Sequence, residues 1–214
     1  MLRYIEHNEP LTILLVAGLI FIALAKLLAP GRFLDFINLL FKPKYLKVYR
    51  KDQKFLDLFE ALLFANLVVC TAVFFYIIYE YGVGTRTVYP DILIKIGVGI
   101  GVFIVAKVLI ERLVGSLFEI DDLMDNYLFQ KISYKNFLGL VLLPFNALLL
   151  YTLDVSEALI YSFLGILVLV NFTGLISTIK TNQSIIKQHL FYFILYLCAL
   201  EIAPYLVLYK VFVP

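Results

Sequence analysis

Residues 11–29 read LTILLVAGLIFIALAKLLA, with a single charge, Lys26, close to the end. An α-helix rises about 1.5 Å per residue, so a run of this length and character crosses most of the roughly 30 Å of hydrocarbon in a bilayer. In water the same helix would be apolar on every face and would need a large soluble core around it. The remainder of the chain cannot supply that core. Of its 214 residues, 63% are hydrophobic and only 16% charged, with a mean hydropathy of +0.95. Soluble domains carry about 45–50% apolar and about 25% charged residues.

Working outward, comparable runs recur at about 55–79, 92–113, 137–153, 158–179 and 190–212. Turn chemistry separates them: Pro30-Gly31, Gly82-Val83-Gly84 with Pro90-Asp91, the polar hairpin 154–157, and Thr181-Asn182-Gln183-Ser184. The pattern predicts an all-α membrane protein, a single polytopic domain of six transmembrane helices whose short loops make neighbours antiparallel. No internal period suggests a repeat architecture. Ala23-Leu24-Ala25 has the small-x-small form of a cleavage site. Glu6 and Glu9 against Arg3 leave no basic leader region, however, so the first run is expected to remain as a helix.

Basic residues set an expected orientation. Arg32, Lys42, Lys44, Lys47, Arg50, Lys51, Lys54, Arg112, Lys131, Lys135, Lys180 and Lys187 fall on one side, twelve against Arg3, Arg86 and Lys210 on the other. By the positive-inside rule the richer side is cytoplasmic and both termini face outward. Within the first basic loop, Phe33, Leu34, Phe36, Ile37, Leu40 and Phe41 are interrupted by Asp35 and Asn38. That reads as a short amphipathic helix in the membrane interface, followed by a cationic stretch, 42–54, attractive to anionic headgroups. Trp is absent, and 15 Tyr and 19 Phe supply the aromatic belts.

Glu201 is the sharpest chemical feature. It lies mid-way along the last run, in Leu200-Glu201-Ile202-Ala203-Pro204. An acidic group at bilayer centre costs about 2.5–3.5 kcal/mol on insertion scales. Pro204 removes a backbone donor and frees the carbonyl of Leu200. Cys198, Glu201 and Tyr205 follow helical spacing and share a face. The functional reading is a proton or cation site, or a polar contact to a partner helix; the structural one is a neutral, protonated carboxyl bonded to another helix of the same bundle. Candidate partners are Lys95, Lys107, Asn146 and Asn171. Lys107 also has Glu111 at i,i+4, and Lys26 and Lys95 lie where they can snorkel. Asp57 and Glu60 open the second run, where an interfacial helix N-terminus favours carboxylates. Gly97 and Gly101 make a small-xxx-small pattern suited to close helix packing.

Other chemistries find little footing. Asp121-Asp122-Leu123-Met124-Asp125 has the DDxxD form that holds Mg²⁺ against a diphosphate in membrane prenyltransferases, but a second acidic motif is missing, and a solvated acidic loop is expected. His7 and His189 fall on opposite sides of the predicted bundle. There is no HExxH, GxSxG or P-loop. The two cysteines, Cys70 and Cys198, fit no metal or redox spacing. No cofactor, metal or nucleic acid is therefore expected, and the partners are the lipid bilayer and other membrane proteins of an envelope complex.

The closing stretch, Tyr196-Leu197-Cys198-Ala199-Leu200-Glu201-Ile202-Ala203-Pro204 running on to Leu208-Tyr209-Lys210, resembles that of a Bacteroidota membrane family, domain-of-unknown-function family 4271. The basic, tyrosine-containing Lys44-Tyr45-Leu46-Lys47-Val48-Tyr49 and the overall length are similar too, so the resemblance covers nearly the whole chain. It implies the inner membrane of a two-membrane bacterium and carries no known activity. It lends weight to Glu201 and Pro204 without giving them a role. Three hypotheses follow: a non-enzymatic accessory or scaffold subunit, a small proton- or ion-coupled transporter built on Glu201 and Pro204, and, least favoured, a lipid-diphosphate enzyme using Asp121, Asp122 and Asp125.

Overall fold

Hydrocarbon would offer the backbone no hydrogen-bonding partner, which favours coiling for a long apolar run. A computed structural model describes residues 9–39, 44–49, 57–83, 89–117, 121–153, 156–181 and 210. They form α1 (Glu9–Leu28), α2 (Pro30–Ile37), α3 (Lys44–Val48), α4 (Leu58–Val83), α5 (Pro90–Leu117), α6 (Asp121–Tyr151) and α7 (Glu157–Thr181), with no strand among the described residues. Four helical stretches are long and apolar enough to cross a membrane: α1, α4, α5 and the Met124–Tyr151 part of α6. In α7 the apolar stretch Glu157–Val170 is shorter. The expected last span, 190–212, lies outside the described residues except for Lys210.

α4 is the central helix. It packs against α1, α5 and α6, and α6 in turn touches α1, α5 and α7. One apolar cluster joins Leu11 and Leu15 of α1, Cys70, Val73 and Phe74 of α4, Leu142 and Leu143 of α6 and Phe163 of α7. A second, at the end that carries α2 and α3, joins Ala25, Phe33, Phe36, Tyr45, Leu63, Phe129 and Phe137. α4 and α6 approach so closely that a Cβ on Gly139 would lie 2.6 Å from the Cα of Leu67. Only a residue without a side chain fits there.

Two elements differ from the sequence reading. The fourth apolar run was expected at 137–153, yet its helix starts at Asp121. The DDxxD segment is therefore the opening of α6, not a loop. Carboxylates stabilise the first turn of a helix by facing its positive dipole end. Pro144 stands inside the same helix on an exposed face. The amphipathic segment after α1 does form a helix, α2, with Pro30 in its first turn. It does not simply float in the interface. Phe33, Phe36 and Leu39 are buried against the bundle, while Leu34 and Ile37 remain exposed.

Candidate functional site

Among the described residues the polar groups of the interior gather in three places, and the richest lies where α2 and α3 strap across the start of α4. Asp57 caps α4: its Oδ1 accepts the N–H of Phe59 at 3.2 Å, and its carbonyl accepts that of Ala61 at 2.9 Å. Glu60 follows in the first turn. Arg32, carried by α2, reaches both acids, pairing through Nη1 with Asp57 and donating from Nη2 to Glu60 Oε1 at 3.2 Å. Its Nε and Nη2 each lie 3.3 Å from the Tyr45 hydroxyl oxygen. Tyr45, on α3, donates its own proton to Glu60 Oε1 at 2.7 Å. From α6, Asn136 Nδ2 donates to Glu60 Oε2 at 3.2 Å.

Aromatic rings enclose this network. The Arg32 guanidinium carbon lies 4.7 Å from the Phe59 ring centre and 5.2 Å from that of Tyr49. Tyr45 stacks on Phe129 at 5.8 Å and meets Phe36 edge-on at 5.4 Å. Burial pushes the Tyr45 phenol well above its ordinary value, and the Glu60 charge adds to the push. Burial opposes the Arg32 charge, but Tyr45 and Asp57 outweigh it and hold the guanidinium above its usual range. Three segments, α2, α3 and α6, thus converge on the one carboxyl group that α4 presents.

A second cluster ties α5 to α6. Glu111 is completely buried; its Oε1 lies 2.5 Å from Lys131 Nζ and 4.0 Å from Lys107 Nζ. Lys131 also sits 5.4 Å from the centre of the Tyr127 ring. The third is at the seam of α1, α4 and α6. Asn146 Nδ2 donates to the Cys70 carbonyl at 2.7 Å, and Cys70 Sγ donates to Asn66 Oδ1 at 3.4 Å. Several buried polar atoms have no hydrogen-bond partner among the described residues: Asn66 Nδ2, Asn146 Oδ1, Glu111 Oε2, Gln130 Oε1, Ser133 Oγ and Asn136 Oδ1. Leaving one such atom unsatisfied costs about 1–3 kcal/mol.

Of the residues singled out in the sequence, Cys198, Glu201, Pro204 and Tyr205 lie outside the described residues, and Asn171 lies on α7 with its side chain outside them. Lys95 is exposed on α5, whereas Lys107 is buried beside Glu111. Asn146 turns to α4 and meets neither lysine. Gly97 faces Ala72 and Gly101 faces Val68, each at ordinary contact distance for an added Cβ, 3.5 and 3.7 Å. Asp121 and Asp125 are exposed, and Asp125 lies 3.8 Å from Arg112. Among the described residues no group of three or more His, Cys, Asp or Glu side chains is placed to hold a metal.

The sequence reading missed Arg32, Tyr45 and Asn136 as partners of Glu60. Arg32 had been counted only as a topological charge. One signal was available: a basic residue two places after the proline that opens an amphipathic helix, with an acidic pair, Asp57 and Glu60, at the start of the next apolar run.

A family model described as "Domain of unknown function (DUF4271)" matches residues 11–212. No curated protein and no solved structure matches the chain.

Proposed function

We propose, since the chain belongs to the DUF4271 family, that it acts as a non-enzymatic scaffold or accessory subunit in a membrane-embedded envelope complex. The observation that supports this reading is how the interior charges are used. Arg32, Glu60, Glu111 and Lys131 each close on a partner from another helix or from the α2–α3 strap. Such pairs fix helix registry and hold a cytoplasmic-side strap in place, and none of these four charged groups is left free for catalysis. In this reading the protein is a six-span protein of the inner membrane with the α2–α3 strap on the cytoplasmic side and both termini periplasmic. Its exposed apolar faces, such as Val98, Val102, Leu109 and Leu113 of α5, meet lipid and partner helices.

Affinity purification of the tagged protein in a mild detergent, with mass spectrometry of what accompanies it, tests the proposal. A scaffold brings down specific membrane partners in fixed proportion. Recovery alone, with full activity in proteoliposomes, removes the scaffold reading. Fusions of a periplasm-active and a cytoplasm-active reporter to the 31–54 and 84–88 loops test the orientation.

One observation favours a second reading, a small proton- or ion-coupled transporter using Glu201 and the Pro204 break. Asn66 Nδ2 and Asn146 Oδ1 sit unpartnered between spanning helices, where water or a permeant would satisfy them. A proton or cation flux in proteoliposomes that disappears in Glu201→Gln supports this reading, and its absence removes it.

A further inference from the structure

At the junction of α4, α6 and the strap, several buried side-chain oxygens have no hydrogen-bond partner among the described residues. Glu60 is met by three donors, Tyr45 Oη, Arg32 Nη2 and Asn136 Nδ2, so both of its oxygens are acceptors. The amide that donates to Glu60 keeps its own oxygen, Asn136 Oδ1, buried and without a partner. One turn earlier on α6, Ser133 is fully buried and its Oγ has no partner either. Gln130, a further turn back, repeats the pattern with Oε1. The three follow at three-residue spacing and form one oblique stripe.

The rings fix the direction of that stripe. Phe129 stacks on Tyr45 and Phe137 meets Phe36 at 6.1 Å, so this face of α6 looks onto the strap. In helical projection Ser133 lies between those two phenylalanines. The charge balance points the same way as the oxygens. Among the described groups in the network one guanidinium, Arg32, faces two carboxyl groups, Asp57 and Glu60. Lys131 lies on the other flank of α6 and is taken up by Glu111.

We propose that Glu60, Asn136 and Ser133 form a seat for one monovalent alkali cation beneath the α2–α3 strap, with Gln130 the next oxygen along α6. Neutral amide and hydroxyl oxygens replace the hydration shell of such an ion, as carbonyl oxygens do in selectivity filters. A single carboxyl group already shared with Arg32 supplies too little charge for Mg²⁺ or Ca²⁺, which gather several carboxylates or keep their waters. The bound ion balances the described charges, Arg32 against Asp57 and Glu60, and gives Asn136 Oδ1 and Ser133 Oγ a partner. The seat is independent of the scaffold reading, because it rests only on the packing of α6 against the strap.

Thermal unfolding of the purified protein in detergent tests the seat, with choline chloride replaced stepwise by sodium or potassium chloride at constant ionic strength and pH. A specific site gives a saturable rise in midpoint of about 3–5 °C with sodium or potassium over choline. Ser133→Ala moves the rise to higher cation concentration, and Glu60→Gln abolishes it. Should Glu60→Gln fail to fold, Ser133→Ala still decides. Equal midpoints in all three salts overturn the proposal and assign the stripe to ordered water. A response unchanged by Ser133→Ala places the ion elsewhere. A midpoint that follows pH but not the cation assigns the compensating charge to a proton on Glu60 and also overturns it.

Discussion

Arg32 and Glu60, 28 residues apart in the chain, meet at 3.2 Å across the junction between α2 and α4. The contact turns a flanking amphipathic segment into part of the bundle. Among the described residues Arg32 is the one side chain that touches Asp57, Glu60 and Tyr45 together, so it holds the helix cap, the first turn of α4 and the strap in one arrangement.

Arg32→Ala is expected to loosen the strap while leaving the spanning helices in place. The group is partly exposed, so the loss is about 1–3 kcal/mol, below that of a fully buried pair. Arg32→Lys keeps the charge but loses the planar fork that reaches two acids and a hydroxyl, and falls in between. Limited trypsin digestion reads the effect: cleavage within 42–54 accelerates in Arg32→Ala, with the far-UV helical signal preserved. Unchanged cleavage would show that aromatic packing alone holds the strap.

Gly139 separates packing that requires a glycine from packing that merely contains one. A Cβ there meets the Leu67 backbone at 2.6 Å, and backbone cannot swing aside. Gly139→Ala is expected to force α4 and α6 apart at a cost of about 1–3 kcal/mol. Gly97→Ala and Gly101→Ala meet Ala72 and Val68 at ordinary contact distances and should change stability by less than about 0.5 kcal/mol. Midpoints of detergent-solubilised variants give the comparison. A Gly139→Ala midpoint no lower than that of Gly97→Ala contradicts it.

These two positions also show how far the sequence could be read. Helix identity follows from solvent: a run such as 11–29 has one way to satisfy its backbone in lipid, so α1, α4 and α5 were legible from composition alone. Their mutual contacts were not. The small-xxx-small pattern drew attention to Gly97 and Gly101, while Gly139, the tighter contact, stands alone in Phe137-Leu138-Gly139-Leu140 with no motif around it. Asp121 looked like part of a loop because its segment is polar. A helix that continues past the hydrocarbon is polar for the same reason, and hydropathy does not distinguish the two. Arg32 belongs to the basic loop after the first apolar run and Glu60 to the start of the second, and only the fold of α2 back onto α4 makes them partners.

Glu111 and Lys131 should behave as a coupled unit. Glu111 is wholly buried, and Lys131 approaches it at 2.5 Å. Removing Glu111 takes the carboxylate from both Lys131 and Lys107, and removing Lys131 leaves Glu111 the longer contact to Lys107 at 4.0 Å, so either loss costs up to about 3–5 kcal/mol. The double variant Glu111→Ala/Lys131→Ala is expected to cost less than the sum of the two, with a coupling of about 0.5–3 kcal/mol in a double-mutant cycle. Strict additivity would mean that the ammonium and the carboxylate do not interact across α5 and α6.

The Tyr45 phenol makes the strap sensitive to alkali in a calculable sense. Its pKa in the folded protein is raised above the ordinary 10.0 by burial and then by Glu60. In the unfolded chain the same group releases its proton near about pH 10. As pH climbs past that value the unfolded state loses its proton first and is favoured, so the stability owed to Tyr45 is fully present below about pH 10 and drains away as pH rises toward the folded value. Tyr45→Phe has no proton to lose there, and the other tyrosines are common to both chains. The midpoint difference between the native protein and Tyr45→Phe should therefore hold steady from pH 7 to about 9 and shrink above about 10. A difference that stays constant to pH 11, or narrows below pH 9, would mean that the phenol is not enclosed against Glu60 as the structure has it.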